Sequence, residues 1–258
     1  LQSGVGTIQS QDPFDRVRKR FRLKIYLSLT LLMFIYILKS NLSPKISNLH
    51  FHTHTNKQRN RYDVSEQSSG FFRVNDEHDS NTFFWFSRAI KETTDTPILL
   101  WLQGGPGASS MFGMFTEIGA FNIGDEKGTI VERKVSWNQD YHLLFLDNPV
   151  GTGFSFTGSE DGYATNQTQV AHELVSALSQ FFTVYPSLRS NDFYVTGESY
   201  AGKWVPTCAY GIHEYNKNAK NKINLKGISI GDGAMDPPSQ LGAGKFGDLL
   251  FNLGMIGT

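Results

Sequence analysis

The sequence predicts an α/β fold with a mostly parallel sheet and flanking helices. Two observations carry that reading. Four short apolar runs, at Ile98–Leu102, Leu143–Leu146, Phe193–Thr196 and Leu225–Ile230, read as strands. Helical patterns lie between the second and third runs and directly after the third. A continuous apolar run of this length suits a strand covered on both faces. Strands that alternate with helices lie parallel, because the crossover helices pack on the faces of the sheet.

The chain has 258 residues, enough for one sizeable domain with appendages. Residues 1–24 form a polar tail that becomes basic, with Arg16, Arg18, Lys19, Arg20, Arg22 and Lys24 crowded at its end. Ile25–Leu38 follows as a run without charges. A basic flank before an apolar run is the pattern of a signal peptide or a signal anchor. The run is short of the about 20 residues that a spanning helix needs. No small-x-small cleavage pattern follows Leu38, which favours an uncleaved anchor. With positive charge inside, everything after Lys39 is expected in the secretory pathway, bound for a lysosome, a vacuole or the exterior. Leu1 in place of methionine leads us to expect that the natural start lies upstream.

Residues 39–69 are rich in Asn, His, Thr, Ser, Lys and Arg and read as a polar linker. His50, His52 and His54 alternate within it, but nothing nearby would hold the rings, so no metal site is expected. Asn41-Leu42-Ser43 and Asn166-Gln167-Thr168 are glycosylation sequons, usable only with lumenal topology. The folded part is expected to run from Gly70 to the end. Phe71–Val74 and Thr82–Phe86 form a hairpin pattern around a charged turn at Asp76–Asp79. Val170, Leu174, Ala177, Leu178 and Phe181 mark a helix that ends before Pro186. The formal charge is zero, with no basic face to suggest nucleic acid. Cys208 is the one cysteine, so no internal disulfide can form within these residues.

Function enters at Phe193-Tyr194-Val195-Thr196-Gly197-Glu198-Ser199-Tyr200-Ala201-Gly202. An apolar strand passes through a Gly-x-Ser-x-small turn into a helix, on which Val205, Ala209, Ile212 and Tyr215 share one face. That context makes Ser199 a candidate nucleophile on a strained strand-to-helix turn. The helix N-terminus adds partial positive charge where an oxyanion would form. A second loop, Gln103-Gly104-Gly105-Pro106-Gly107-Ala108-Ser109-Ser110, follows the first buried strand, and its glycines free backbone N–H groups to point into a site. Asp147-Asn148-Pro149-Val150-Gly151-Thr152-Gly153-Phe154-Ser155 is a third irregular segment at a strand end, where ligand loops gather in open α/β sheets.

These three segments, with Trp101-Leu102 and Trp137-Asn138, resemble the serine carboxypeptidase family of α/β-hydrolases, and within it the vitellogenic-like branch. The resemblance implies an α/β-hydrolase fold that is incomplete at the C-terminus. It also implies release of C-terminal amino acids from peptides through an acyl-enzyme on Ser199, without cofactor or metal. By the same resemblance, the N–H groups of Gly105 and Tyr200 form the oxyanion hole. Gln103, Gly104, Glu117 and Glu198 bind the free C-terminal carboxylate of the peptide. Gln103 stands where many members have asparagine, and Ala108 and Met235 where many have cysteine. Without the resemblance, Glu117 reads as a surface carboxylate. Two carboxyl groups beside a substrate carboxylate must share a proton, since like charge and burial raise their pKa.

A serine nucleophile needs a base and an orienting acid, which follow it in this fold in the order Ser, Asp, His. After Ser199 the one histidine is His213, on the helix that leaves the turn and carries it away from the active face. His142 and His172 precede Ser199, and no histidine follows Asp232 or Asp236. The resemblance therefore leads us to expect the partners beyond Thr258 and little activity from residues 1–258 alone. Two other readings remain open at this point: an acyltransferase of the same fold, and a truncated, membrane-tethered binding protein without catalysis.

Overall fold

A computed structural model describes residues 65–124, 128–242 and 245–257. The expectations for residues 1–24, for Ile25–Leu38, for Asn41 and for His50, His52 and His54 lie outside the described residues. By packing the chain divides into a small unit, which includes residues 123–131, and a large unit that carries the main sheet. In the small unit Gly124 N–H donates to the carbonyl of Thr129 at 2.7 Å.

Strands β1 (Gln67–Asn75) and β2 (Ser80–Ser87) pair antiparallel as a hairpin. The turn is set by Asn75, whose Oδ1 accepts the N–H groups of Glu77 at 3.0 Å and His78 at 3.3 Å. β1 begins at Gln67, ahead of the Gly70 boundary that composition suggests. Its first residues are polar and are held by side chains: Gln67 Nε2 donates to Ser87 Oγ at 2.6 Å and Trp85 Nε1 donates to Gln67 Oε1 at 2.8 Å. Hydrophobic patterning cannot register that kind of pairing.

β3 (Ile98–Leu102) is followed by a short π-helical turn, Gly113–Glu117, and by the short strands β4 (Phe121–Ile123) and β5 (Ile130–Glu132). β6 is His142–Leu146, β7 Phe193–Glu198 and β8 Leu225–Gly231. The sheet order is β1-β2-β6-β3-β7-β8. β2 pairs antiparallel with β6, while β6, β3, β7 and β8 run parallel.

Alternation explains why Ile98–Leu102 and Leu143–Leu146 are apolar throughout. Ile98, Leu100 and Leu102 of β3 and Leu144 and Leu146 of β6 point into one core, whereas Leu99, Trp101, Leu143 and Phe145 point into another on the opposite face. The first core is covered by α1 (Gln167–Val184) and α2 (Ala201–Asn218). The second is covered by Met111, Met114 and Ile118, from the segment that contains the π-helical turn. α1 starts on an Asn166 cap, whose side chain accepts Gln169 N–H at 2.9 Å. Its buried stripe includes Val170, Leu174, Ala177, Leu178 and Phe181, as the periodicity predicts.

β8 departs from expectation. It forms, but among the described residues it is the outermost strand beside β7 and is half exposed rather than buried on both faces, with Ile228 at 48% exposure. Apolar content alone does not separate an edge strand from a central one. α3 (Pro237–Leu241) and α4 (Lys245–Asn252) follow it. Among the described residues, no helix is long and apolar enough to cross a membrane.

Candidate active site

The site forms where β3 and β7, adjacent and parallel, release their C-terminal ends. Ser199 follows β7 directly, with φ of +57°, a left-handed conformation that costs a non-glycine residue energy. Neighbouring backbone holds it there. Ser199 N–H donates to the carbonyl of Gly231 at 2.9 Å and to Asp232 Oδ1 at 3.1 Å. The Ser199 carbonyl accepts the N–H groups of Gly202 at 3.0 Å and Ala234 at 2.9 Å. The small residues around Ser199 have a steric reason. A Cβ on Gly197 would lie 2.4 Å from the Leu102 carbonyl oxygen, and one on Gly202 would lie 2.7 Å from the Ala234 nitrogen.

The loop after β3 presses against this turn. A Cβ on Gly104 would stand 2.7 Å from the Tyr200 nitrogen and 2.8 Å from Ser199 Cβ. Gly105 follows with φ of +106°. Among the described residues, the N–H groups of Gly105 and Tyr200 donate to no protein group. Tyr200 follows Ser199 in the chain, and Gly105 follows Gly104, which stands against Ser199.

A polar cluster lies beside the turn. Trp101 Nε1 donates to Gln103 Oε1 at 2.8 Å, which fixes the amide so that its nitrogen points the other way. Gln103 Nε2 then donates to Glu198 Oε1 at 2.7 Å and, more weakly, to Glu117 Oε1 at 3.4 Å. Gln103 therefore joins the two carboxyl groups. Glu117 is delivered by the π-helical turn, in which Ile118 N–H donates to the Gly113 carbonyl at 2.9 Å. The turn can approach because residue 113 is glycine: a Cβ there would meet Trp101 Nε1 at 2.3 Å and Gln103 Oε1 at 2.8 Å. Sequence reasoning missed Gly113, since nothing local marks it as a contact residue.

Burial, and then the charge of Glu198, push the Glu117 carboxyl up to about 7. At mildly acid pH it holds its proton and can donate. Among the described residues its Oε2 is buried without a hydrogen-bond partner. All seven residues read from sequence as site positions, namely Gln103, Gly104, Gly105, Glu117, Glu198, Ser199 and Tyr200, come together at these strand ends.

Among the described residues no histidine hydrogen-bonds Ser199. His142 starts β6 and shares its register level with Ile98 and Phe193, at the far end of the sheet, about 20 Å away at the usual strand rise. His172 and His213 are exposed on α1 and α2. Among the described residues, none hydrogen-bonds Ser199 Oγ. Cys208 is fully buried in α2, and burial drives its thiol up to about 12, so it is inert. Among the described residues no group of His, Cys, Asp and Glu could hold a metal ion.

Comparison with known proteins agrees with this geometry. The family described as serine carboxypeptidase matches residues 58–252. The chain is 49% identical over 218 residues to a venom serine carboxypeptidase of Apis mellifera, covering 83% of this chain and 46% of that protein. It is 49% identical over 191 residues to the vitellogenic carboxypeptidase of Aedes aegypti, covering 74% and 39%. It is 50% identical over 188 residues to the human probable serine carboxypeptidase CPVL, covering 73% and 39%. Among solved structures it resembles KEX1(DELTA)P, a prohormone-processing carboxypeptidase from Saccharomyces cerevisiae. There the TM-score is 0.70 at 27% identity, over 76% of this chain and 44% of that one. The chain thus spans less than half the length of these relatives. The α/β-hydrolase architecture, the strand-to-helix serine and the extent of these matches agree, and the chain belongs to the serine carboxypeptidase family.

Proposed function

We propose that the whole protein removes C-terminal amino acids from peptides, with Ser199 as nucleophile. The observation that carries this reading is the Gln103 amide, oriented by Trp101 and joining the Glu117 and Glu198 carboxyls next to Ser199. A general hydrolase has no need of such a cluster. A free C-terminal carboxylate does, because the Gly104 N–H and a protonated Glu117 can donate to it, and the Gln103 amide can exchange its weaker bond to Glu117 for one to it.

In this reading Ser199 Oγ attacks the carbonyl carbon of the last peptide bond while a base takes its proton. The carbonyl oxygen becomes an oxyanion held by the N–H groups of Gly105 and Tyr200. The C–N bond then breaks, and the leaving nitrogen receives the proton as the amino acid departs. Water attacks the acyl-enzyme, restoring the Ser199 hydroxyl and releasing the shortened peptide. In this reading the base and its orienting acid come from outside the described residues; no described side chain hydrogen-bonds Ser199 Oγ. The basic flank and apolar run at Ile25–Leu38 support entry into the secretory pathway. Asn166 and Thr168 are exposed on the folded part, where a lumenal sequon would be accessible.

The test is a pH profile of the full-length protein with Glu117→Gln. Glu117 is neutral below about 7 and ionises above it. Activity that needs its proton is therefore full in acid and falls about tenfold per pH unit once the group has titrated. Glutamine donates at any pH, so the variant should lose that alkaline limb. An unchanged profile would remove Glu117 from substrate binding.

A further inference from the structure

We propose that Asp147 is a positioning residue that holds the Gln103–Ser110 loop in register with Ser199. The proposal rests on the assignments of Ser199 and Gly105 made above, and adds a residue that touches neither substrate nor nucleophile.

Asp147 follows β6 and is fully buried. Its Oδ1 accepts Ser109 Oγ–H at 2.7 Å and Ser110 N–H at 2.8 Å, both at the end of the glycine loop. Its Oδ2 accepts Phe154 N–H at 2.9 Å, across the loop that Asp147 itself opens. The Asp147 carbonyl also accepts Ser155 Oγ–H at 2.7 Å, and its N–H donates to the Phe83 carbonyl at 3.0 Å. The carboxylate thus ties two glycine-rich loops together, and the backbone of the same residue ties them to strand β2.

The tie continues to the site. Ser110 Oγ accepts Gln103 N–H at 3.2 Å and donates to the Leu146 carbonyl at 2.5 Å. Asp147 therefore fixes Ser110, and Ser110 fixes the backbone of Gln103, immediately before Gly104 and Gly105. The opposite wall is shaped around the carboxylate. Gly153 has φ of +55°, and a Cβ there would lie 2.1 Å from Asp147 Oδ2. Burial raises the carboxyl to about 6 against the pull of the three hydrogen bonds, which keeps a costly buried acceptor in place. A loop that only needed anchoring could use apolar packing. A carboxylate accepting two donors from one loop and one from another instead fixes their relative position.

The test compares wild type, Asp147→Asn and Ser109→Ala in the full-length protein, measuring kcat, KM and thermal unfolding with a blocked dipeptide. Asparagine leaves an N–H group facing either Phe154 N–H or the Ser109–Ser110 donors. The loop should shift, and kcat should fall about ten- to hundredfold with KM changed by less than about threefold. A folded Asp147→Asn protein with kcat within about twofold of wild type would overturn the proposal. If Asp147→Asn does not fold, Ser109→Ala decides: a fall in kcat of about threefold or more at constant KM supports the proposal, and an unchanged kcat overturns it. Failure of the nucleophile assignment shows separately, as wild-type turnover that survives Ser199→Ala.

Discussion

Ser199→Ala in the full-length protein is expected to lower kcat by on the order of a million-fold, as loss of a serine nucleophile does elsewhere. The expected effect is this large because the proposed acyl-enzyme forms on the Ser199 hydroxyl, and binding without a nucleophile leaves only residual catalysis. The fold should not follow the activity down. The bonds that hold the turn are made by the Ser199 backbone, to Gly231, Asp232, Gly202 and Ala234, so removal of the hydroxyl leaves them intact. Hydrolysis of a blocked dipeptide, labelling by a fluorophosphonate and a thermal melt check the three parts together. Labelling that persists in the variant would place the nucleophile elsewhere.

Phe181→Ala is expected to destabilise the fold by about 3–5 kcal/mol, the usual cost of emptying a buried aromatic site. Phe181 is fully buried on α1 and meets Phe86 at 5.0 Å, Phe182 at 5.2 Å and Tyr185 at 4.9 Å between ring centroids. It therefore couples the helix layer to the antiparallel hairpin at one side of the sheet. Rings packed on three sides cannot close the gap without leaving their own contacts. Urea titration would read the loss as a lower midpoint with an unchanged slope. A loss under about 1 kcal/mol would mean that α1 turns another face to the sheet.

Much of the fold was legible because its signals are local. A strand buried on both faces must be apolar throughout, so Ile98–Leu102 and Leu143–Leu146 declared themselves. So did α1, whose buried stripe recurs at helical spacing. The apolar run of β8 does not by itself separate an edge strand from a central one, because that depends on which strand lies beside it rather than on its own residues. The start of β1 was obscured for a related reason: Gln67 is held by Ser87 and Trp85, twenty and eighteen residues away.

The site divides along the same line. Gly197, Ser199 and Gly202 sit on one turn and form a local pattern. Glu117 reaches Gln103 and Glu198 only through tertiary packing, so its place in the cluster came from the family resemblance and not from its own neighbourhood. Gly113 and Asp147 belong to the same class. Gly113 matters through a clash with Trp101 that a Cβ would create, and Asp147 through bonds to residues thirty-seven and thirty-eight positions earlier. Such distances leave no trace in spacing.

The central claim is that the Gln103, Glu117 and Glu198 cluster reads a free C-terminus. The most direct measurement compares, in the full-length protein at mildly acid pH, hydrolysis of one blocked dipeptide with that of its C-terminal amide. A hydrogen-bonding site loses strongly when its charged partner is missing, so kcat/KM for the free acid should exceed that for the amide by about a hundredfold or more. Glu117→Ala and Gln103→Ala, which remove the donors, should each narrow that ratio, whereas Glu117→Gln, which keeps one, should not. Equal rates on the two substrates, or a preference for the amide, would contradict the account.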